Sequence, residues 1–131
     1  MRERVRATMV VVMSGVLLAA FPAAAQAAQD NPVNGTTNGD MSWTTYTRVR
    51  HDVDGTSIIF KPTLLPPGGM CMALRNNNSG AAFGHGPCWS AGDYSAKAVA
   101  SGVPANTEFR VMARQRASSW GTSQWSGILR Y

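Results

Sequence analysis

The sequence predicts an all-β protein, a small antiparallel β-sandwich of six to seven strands with one disulfide bond. Short segments in which apolar and polar residues alternate with a period of two follow one another from residue 42 to the end. Gly, Pro and Asn clusters separate these segments, and no long stretch has helical periodicity. The chain contains two cysteines, Cys71 and Cys88, which form one possible pair.

The N-terminal residues have the layout of a secretory signal peptide. Arg2, Arg4 and Arg6 precede the uncharged apolar stretch 10–21, and Ala-x-Ala cleavage sites follow within 23–27. The apolar stretch is shorter than the ~20 residues of a membrane-spanning helix, which disfavours an uncleaved anchor. We therefore expect residues 1–27 to be removed and the mature chain to be secreted, with no membrane association after cleavage.

Residues 28–41, AQDNPVNGTTNGDM, are polar and rich in Gly and Asn, which predicts a flexible N-terminal arm. The β-sandwich domain is expected to span residues 42–131. Without the leader, the mature chain carries 9 basic and 6 acidic residues, a net charge of +3. This excess is too small to indicate a nucleic-acid-binding surface.

The first two predicted strands flank Asp54-Gly55, a dipeptide typical of a tight hairpin turn. After the turn, SIIFK places Ile58 and Phe60 on one face and Ile59 on the other, and the sequence PPGG (66–69) ends the strand. Before the turn, SWTTYTRVRHDV places one set of residues on the first face (Trp43, Thr45, Thr47, Val49, Val53) and another on the second (Tyr46, Arg48, Arg50).

The remaining predicted strands also alternate. MCMALR places Met70, Met72 and Leu74 opposite Cys71, Ala73 and Arg75. YSAKAVAS alternates too, although its alanines would also suit a helix. In EFRVMARQR, Phe109, Val111 and Ala113 oppose Glu108, Arg110, Met112, Arg114 and Arg116. QWSGILRY groups Trp125, Gly127, Leu129 and Tyr131. This strand pattern is typical of an immunoglobulin- or fibronectin-like sandwich.

Export would place the two cysteines where a disulfide forms and persists. A Cys71–Cys88 bond would close a loop whose entropy is worth roughly 3 kcal/mol in the unfolded chain. A redox motif would need closer spacing, and a zinc site would have to use His51, His85 and both cysteines as reduced ligands. A disulfide is therefore favoured over a metal site, a redox site or a cysteine nucleophile.

The predicted disulfide would constrain residues 76–87, a loop rich in Asn and Gly that contains Asn77 and His85. Two interpretations of this loop remain open. It is either a plain connection between two strands or a rigid loop presented for recognition, with Asn77 and His85 as candidate binding residues.

Groups suited to catalysis are sparse in the mature chain. A glycosidase pair drawn from Asp52, Asp93 and Glu108 has no supporting motif. His51 with Asp52, or His85 with a serine, could form part of a triad, but no G-x-S-x-G, H-E-x-x-H or phosphate-binding loop is present. The sequence therefore predicts a protein that is not an enzyme and that needs no cofactor or metal.

Aromatic residues point to binding. Trp43, Trp125 and Tyr131 fall on apolar faces and are expected in the core, and Trp89 is expected to pack on the disulfide. Trp120 lies in the polar segment ASSWGTS, where it either anchors an interface or folds back over the core edge.

Arginines form a second candidate binding feature. Arg110, Arg114 and Arg116 share one face of a predicted strand, and Arg48 and Arg50 share a face of another. A solvated strand face is one interpretation. If the strands are neighbours, the five residues form a basic stripe suited to an acidic protein, an anionic cell-wall polymer or phosphate groups.

The arginine-rich leader, the mature length, the single disulfide and the ending WSGILRY together resemble small secreted actinobacterial β-sandwich proteins. Some proteins of this build resemble adaptor subunits of secreted antibacterial toxin particles, and others resemble inhibitors of extracellular hydrolases. The resemblance implies no functional residue. The Trp-Arg-Tyr triplet and the second disulfide expected of the small amylase inhibitors are absent from this sequence.

The leading hypothesis is therefore a secreted, non-enzymatic module that binds another secreted protein, as an adaptor in an extracellular assembly. The flexible arm would order on binding or add a strand to a partner's sheet. The alternative is a module that binds carbohydrate or the cell envelope, with Tyr46, Trp89 or Trp120 as sugar platforms. The third hypothesis is a hydrolase inhibitor that presents residues 76–87 or 117–123.

Overall fold

A computed structural model describes residues 28–131, and the predicted signal peptide lies outside these residues. The described chain forms ten β-strands: β1 Asp30–Thr37, β2 Thr44–Thr45, β3 Arg50–Asp52, β4 Ile58–Leu64, β5 Met70–Asn76, β6 Ala82–Phe83, β7 Cys88–Trp89, β8 Lys97–Ala100, β9 Thr107–Gln115 and β10 Ser123–Arg130. All pairings between them are antiparallel. The predicted all-β class is confirmed.

Two sheets share one core. The first sheet has the strand order β1-β10-β4-β8. In the second sheet, β9 and β5 lie at the centre, β2 and β3 pair with the outer edge of β9, and β6 and β7 pair with the outer edge of β5. Because β2/β3 and β6/β7 are interrupted strands, the second sheet has two broken edges and one long central pair.

The core consists of the alternating residues that the sequence singled out on the long strands. Ile58 and Phe60 from β4 and Trp125 and Leu129 from β10 are at most 1% exposed. From the second sheet, Met70, Met72, Leu74, Phe109, Val111 and Ala113 join the same cluster. The Phe60 ring packs nearly perpendicular to the rings of Trp89 and Trp125, and its contact with Trp89 bridges the two sheets.

The segment expected to be a flexible arm instead forms β1. Its residues 30–37 pair along their whole length with β10, and Val33 and Thr37 are buried. Gln29 and Tyr131 extend this ladder by exchanging two backbone hydrogen bonds. The composition of residues 30–37 did not predict a strand because β1 has few apolar side chains. Its stability comes instead from backbone hydrogen bonds to one edge of β10.

The prediction for residues 42–53 is also corrected. This segment forms two short strands, and the face that turns inward carries Tyr46 rather than Trp43. Tyr46 packs on the core and Asp52 is buried, while Trp43, Val49 and Val53 are 41–44% exposed. Asp54-Gly55 does not close a hairpin, because β3 belongs to the second sheet and β4 to the first.

Asp52, the last residue of β3, has a buried side chain at the point where the chain passes from the second sheet to the first. Its Oδ1 accepts a hydrogen bond from Gly55 N at 3.2 Å, and its Oδ2 has no hydrogen-bond partner among the described residues. Desolvation, and then the neighbouring Asp54, raise the pKa of Asp52. The ionised carboxylate is therefore a source of instability at neutral pH.

We expect Asp52→Asn to stabilise the protein by about 1 kcal/mol at pH 7, because the amide keeps the Oδ1 acceptor and can donate to Asp54. A folded-state pKa above the unfolded value stabilises at low pH, and this contribution is lost as pH rises through the folded pKa. The gain should therefore shrink towards pH 3.5. Urea unfolding at both pH values measures it, and a less stable variant at pH 7 would contradict the assignment.

Candidate binding surface

Four connections lie at one end of the two-sheet body, because strand directions alternate in both sheets. They are the β1–β2 loop (38–43), the β4–β5 loop (65–69), the β7–β8 loop (90–96) and the β9–β10 loop (116–122). We call these four segments, together with the last residue of β4, Leu64, the loop end. The chain termini lie at the opposite end of the described body.

Backbone contacts join these loops. Ser119 N donates to Gly39 O at 3.0 Å, and Arg116 N donates to Gly69 O at 3.0 Å. Ser119 Oγ also donates to the buried side chain of Gln115 at 2.6 Å. A Cβ on Gly39 would overlap the carbonyl oxygens of Ser119 and Gly121. The β9–β10 loop is therefore fixed by hydrogen bonds to the β1–β2 loop and to the β4–β5 loop.

Gly69 packs the β4–β5 loop against the junction between β7 and the β7–β8 loop. Its φ of +92° lies in the region that favours glycine, and a Cβ there would overlap the carbonyl oxygen of Trp89. The PPGG sequence that predicted a chain break therefore also allows the β4–β5 loop to pack closely on the end of β7.

The β7–β8 loop has its own polar framework around Asp93. The carboxylate accepts hydrogen bonds from Ser95 N and Ser95 Oγ, and it pairs with Lys97 at 3.0 Å. The hydrogen bond from the Ser95 hydroxyl is the main cause that lowers the pKa of Asp93 to about 2. Trp89 Nε1 donates to Ser95 O, which connects this loop to the core.

Large apolar side chains are exposed around the loop end. Trp120 is fully exposed, at 103% of its reference area, in the middle of the β9–β10 loop. The others are between 36% and 47% exposed: Met41, Trp43, Leu64 and Tyr94. Of the two positions that the sequence left open for Trp120, the structure therefore has the exposed one.

Two of the candidate sugar platforms, Trp89 and Tyr46, pack in or against the core, and Trp43 lies outside the core in which it was expected. Trp89 is fully buried against Phe60, and Lys97 lies over its ring, so it is not a sugar platform. Tyr46 is partly buried and packs against the core, and its hydroxyl donates to Thr36 O and accepts from Trp125 Nε1. Trp43, expected in the core, lies at the surface beneath the Arg114 guanidinium, at 5.2 Å from its ring centroid.

The five arginines do not form one stripe. β3 and β9 are neighbours, but Arg50 turns towards the first sheet, where its Nη1 donates to Tyr131 Oη at 3.0 Å. Arg110 and Arg114 lie on the outer face of β9, and Arg116 follows in the loop. Arg110 lies directly opposite Arg75 on β5, a pairing that sequence reasoning missed because it depends on the register between strands.

The predicted disulfide is confirmed between Cys71 and Cys88, which face each other on β5 and β7. The loop that it closes contains a short hairpin. Asn76 Oδ1 accepts from the backbone N–H groups of Asn78 and Ser79, and β6 returns along β5. Asn77 is held by β9, since its side chain donates to Glu108 and accepts from Arg110 Nε.

His85, the other candidate in this loop, is exposed and tethered to the end of β8. Its backbone N–H donates to Val99 O at 2.7 Å, and its Nε2 lies 3.1 Å from Ser101 Oγ. Such a pair is a component of serine nucleophile activation. Within residues 28–131, no carboxylate forms an ion pair with His85.

No group of three or more metal-ligating side chains is assembled anywhere in residues 28–131. The same part of the chain contains no helix that is long and apolar enough to cross a membrane. Comparisons with protein-family models, with curated proteins and with solved structures find no match to this chain.

Proposed function

We propose that the mature chain is a secreted, non-enzymatic module that binds another secreted protein through the loop end. In this proposal the two sheets form an immunoglobulin- or fibronectin-like sandwich, and the protein is an adaptor subunit in an extracellular assembly. The observation that carries the proposal is Trp120, a fully exposed tryptophan on a loop fixed by its neighbours.

Exposing a whole indole to water is unfavourable, by about 25 cal/mol for each Å² of apolar surface. A partner that buries Trp120 would recover this free energy. Tryptophan is among the residues that most often dominate binding at protein interfaces. Because Ser119 is already held by Gly39 and Gln115, little loop ordering remains to be done on binding.

Partly exposed apolar residues on the neighbouring loops extend the surface around Trp120. Met41 lies on the same β1–β2 loop as Gly39, which contacts the backbone beside Trp120. Exposed apolar residues gathered at one end are typical of a protein-binding surface. The predicted signal peptide and the disulfide support export of this module.

The test is affinity purification from culture supernatant with the tagged mature protein. We expect a partner chain in a defined ratio, with at least about tenfold weaker binding to purified Trp120→Ala. Val53→Ala is the matched control, since Val53 is 44% exposed and lies outside the loop end. Equal binding by wild type and Trp120→Ala would contradict the proposal.

A carbohydrate-binding module is the second candidate, favoured by the exposed rings of Trp43, Tyr94 and Trp120. Aromatic rings provide flat apolar surfaces on which sugar rings can pack. Retention of the wild type on insoluble cell-wall glycan, with loss in Trp120→Ala and no partner chain in the supernatant, would support this candidate instead. Inhibition of a purified hydrolase through residues 117–123 would support the third hypothesis.

A further inference from the structure

Three arginines share the outer face of the second sheet. Arg75 on β5 lies directly opposite Arg110 on β9, and Arg114 lies four residues further along β9. Their side chains are partly exposed, and the inward positions beside them carry Leu74, Val111 and Ala113. We call Arg75, Arg110 and Arg114 the arginine face.

The charges on this face are not balanced within the described chain. The ion pairs of residues 28–131 are Asp93–Lys97 and Asp30–Arg130, and neither includes a residue of the arginine face. The nearby Glu108 accepts a hydrogen bond from Asn77. Like charges directly opposite each other across two strands are destabilising, so the Arg75–Arg110 pair has an unfavourable charge term without an anion.

Arg114 provides an independent indication that this face lacks a polar partner. Its Nε is buried and has no hydrogen-bond partner among the described residues. Buried polar atoms in folded proteins nearly always have a partner. Arg114 Cζ lies 5.2 Å from the centroid of the Trp43 ring, a contact that restrains the guanidinium while the residue stays partly exposed.

The centre of the face is uncharged. Between the two charged positions of β9 lies Met112, which pairs with Ala73 on one side and with Thr45 on the other. At about 3.3 Å per residue, Arg110 and Arg114 are about 13 Å apart along the strand. Met112 is only 5% exposed, and its neighbours Ala73 and Thr45 are partly exposed, so the face presents two cationic positions separated by a small uncharged centre.

We propose that the arginine face binds an acidic segment of a protein partner, with carboxylates in two groups about 13 Å apart and small uncharged side chains between them. In an extended segment, acidic residues four positions apart have this spacing and point to the same side. Guanidinium groups bind carboxylates through paired hydrogen bonds, which suits the planar Arg114. A uniform polyanion would match the charged positions but not the centre.

This proposal goes beyond the function assigned to the loop end and does not depend on it. The arginine face lies on β5 and β9 and meets the loop end at the Arg114–Trp43 contact, whereas Trp120 lies in the β9–β10 loop. Trp120→Ala should therefore leave peptide binding to the arginine face unchanged, and substitution of an arginine should leave Trp120 exposed.

The test uses synthetic peptides of about twelve residues and the mature protein with its disulfide intact. One peptide carries two glutamates four positions apart with small uncharged residues between them, and a second has the same composition with adjacent glutamates. We expect the spaced peptide to bind at least about tenfold more tightly, and its binding to weaken as salt increases. Isothermal titration calorimetry measures both affinities.

Arg114→Gln and Arg110→Gln should each weaken binding of the spaced peptide about tenfold. Lys61→Gln is the control, since Lys61 is an exposed residue of β4 in the other sheet and its substitution removes the same charge. Thermal unfolding of each variant checks the fold, and Arg114→Lys provides a milder change that keeps the charge but not the planar group.

Specific outcomes would overturn the proposal. Equal affinity for the two peptides would exclude a requirement for carboxylates in two separated groups. If Lys61→Gln weakened binding as much as Arg110→Gln or Arg114→Gln, only net charge would matter. Tighter binding of inorganic polyphosphate than of the spaced peptide would make the face a general polyanion site.

Discussion

Replacing Trp125 with alanine is expected to lower the free energy of unfolding by about 3–5 kcal/mol. Trp125 is 1% exposed, and its ring contacts Tyr46 and Phe60 edge-on at centroid distances of 5.5 and 5.6 Å. Its Nε1 also donates to Tyr46 Oη at 2.8 Å. The substitution removes core volume between the sheets together with this hydrogen bond.

Trp125 also supports the pairing of β1 with β10. It lies opposite Gly35 in the register, and a Cβ on Gly35 would collide with the rings of Tyr46 and Trp125. Because Tyr46 Oη donates to Thr36 O, the indole, the phenol and the β1 backbone form one connected group. We therefore expect loss of Trp125 to loosen β1, so that the substitution increases amide exchange in β1 more than in β5.

Urea unfolding of Trp125→Ala and Trp43→Ala provides the comparison. Both substitutions remove a tryptophan, but Trp43 is 41% exposed and its ring lies beside the Arg114 guanidinium outside the core, so its loss should cost at most about 1 kcal/mol. Trp125→Phe should fall between them, because it keeps an aromatic ring and loses the N–H donor. Equal destabilisation by the two alanine substitutions would contradict the assigned core.

Removal of the disulfide is expected to cost about 3 kcal/mol of stability. Cys71 and Cys88 are 17 residues apart in sequence, and the bond limits the conformations of the loop in the unfolded chain. The folded loop has other attachments, including the hydrogen bond from Met72 N to Pro87 O and the β5–β6 pairing. We therefore expect Cys71→Ala/Cys88→Ala to fold with lower stability rather than to remain unfolded.

The control uses reductant on both proteins. Reduced wild type should match the double variant in urea unfolding, and the double variant should not respond to reductant. Mass spectrometry of the exported wild type should find no free thiol. Free thiols in that form, or a double variant as stable as the oxidised wild type, would contradict the prediction.

The long strands could be predicted because their inward residues are strongly apolar. The alternation of Met70, Met72 and Leu74 on β5, and that of Phe109, Val111 and Ala113 on β9, decides which face meets the core. Shifting either strand by one residue would bury Arg75 or Arg110. The disulfide could be predicted because two cysteines allow one pairing.

The segments with weak alternation were predicted less well. In 42–53 both faces carry apolar and polar residues, so the pattern could not show that Tyr46 rather than Trp43 turns inward. In 30–37 the favourable contribution comes from backbone hydrogen bonds to β10 and from two buried side chains. Composition is a poor guide to such a strand, because its stability depends on a partner edge distant in sequence.

For the candidate sites, the sequence alone determined which residue types were available: a tryptophan in a polar loop, arginines on an alternating strand and two cysteines in one pair. Only the tertiary structure decided that Trp120 is fully exposed beside Gly39, that Arg75 faces Arg110 and that Arg50 turns away towards Tyr131. The reason is physical. Alternation along one strand sets the side to which a residue points, whereas strand register and loop packing set what lies opposite it.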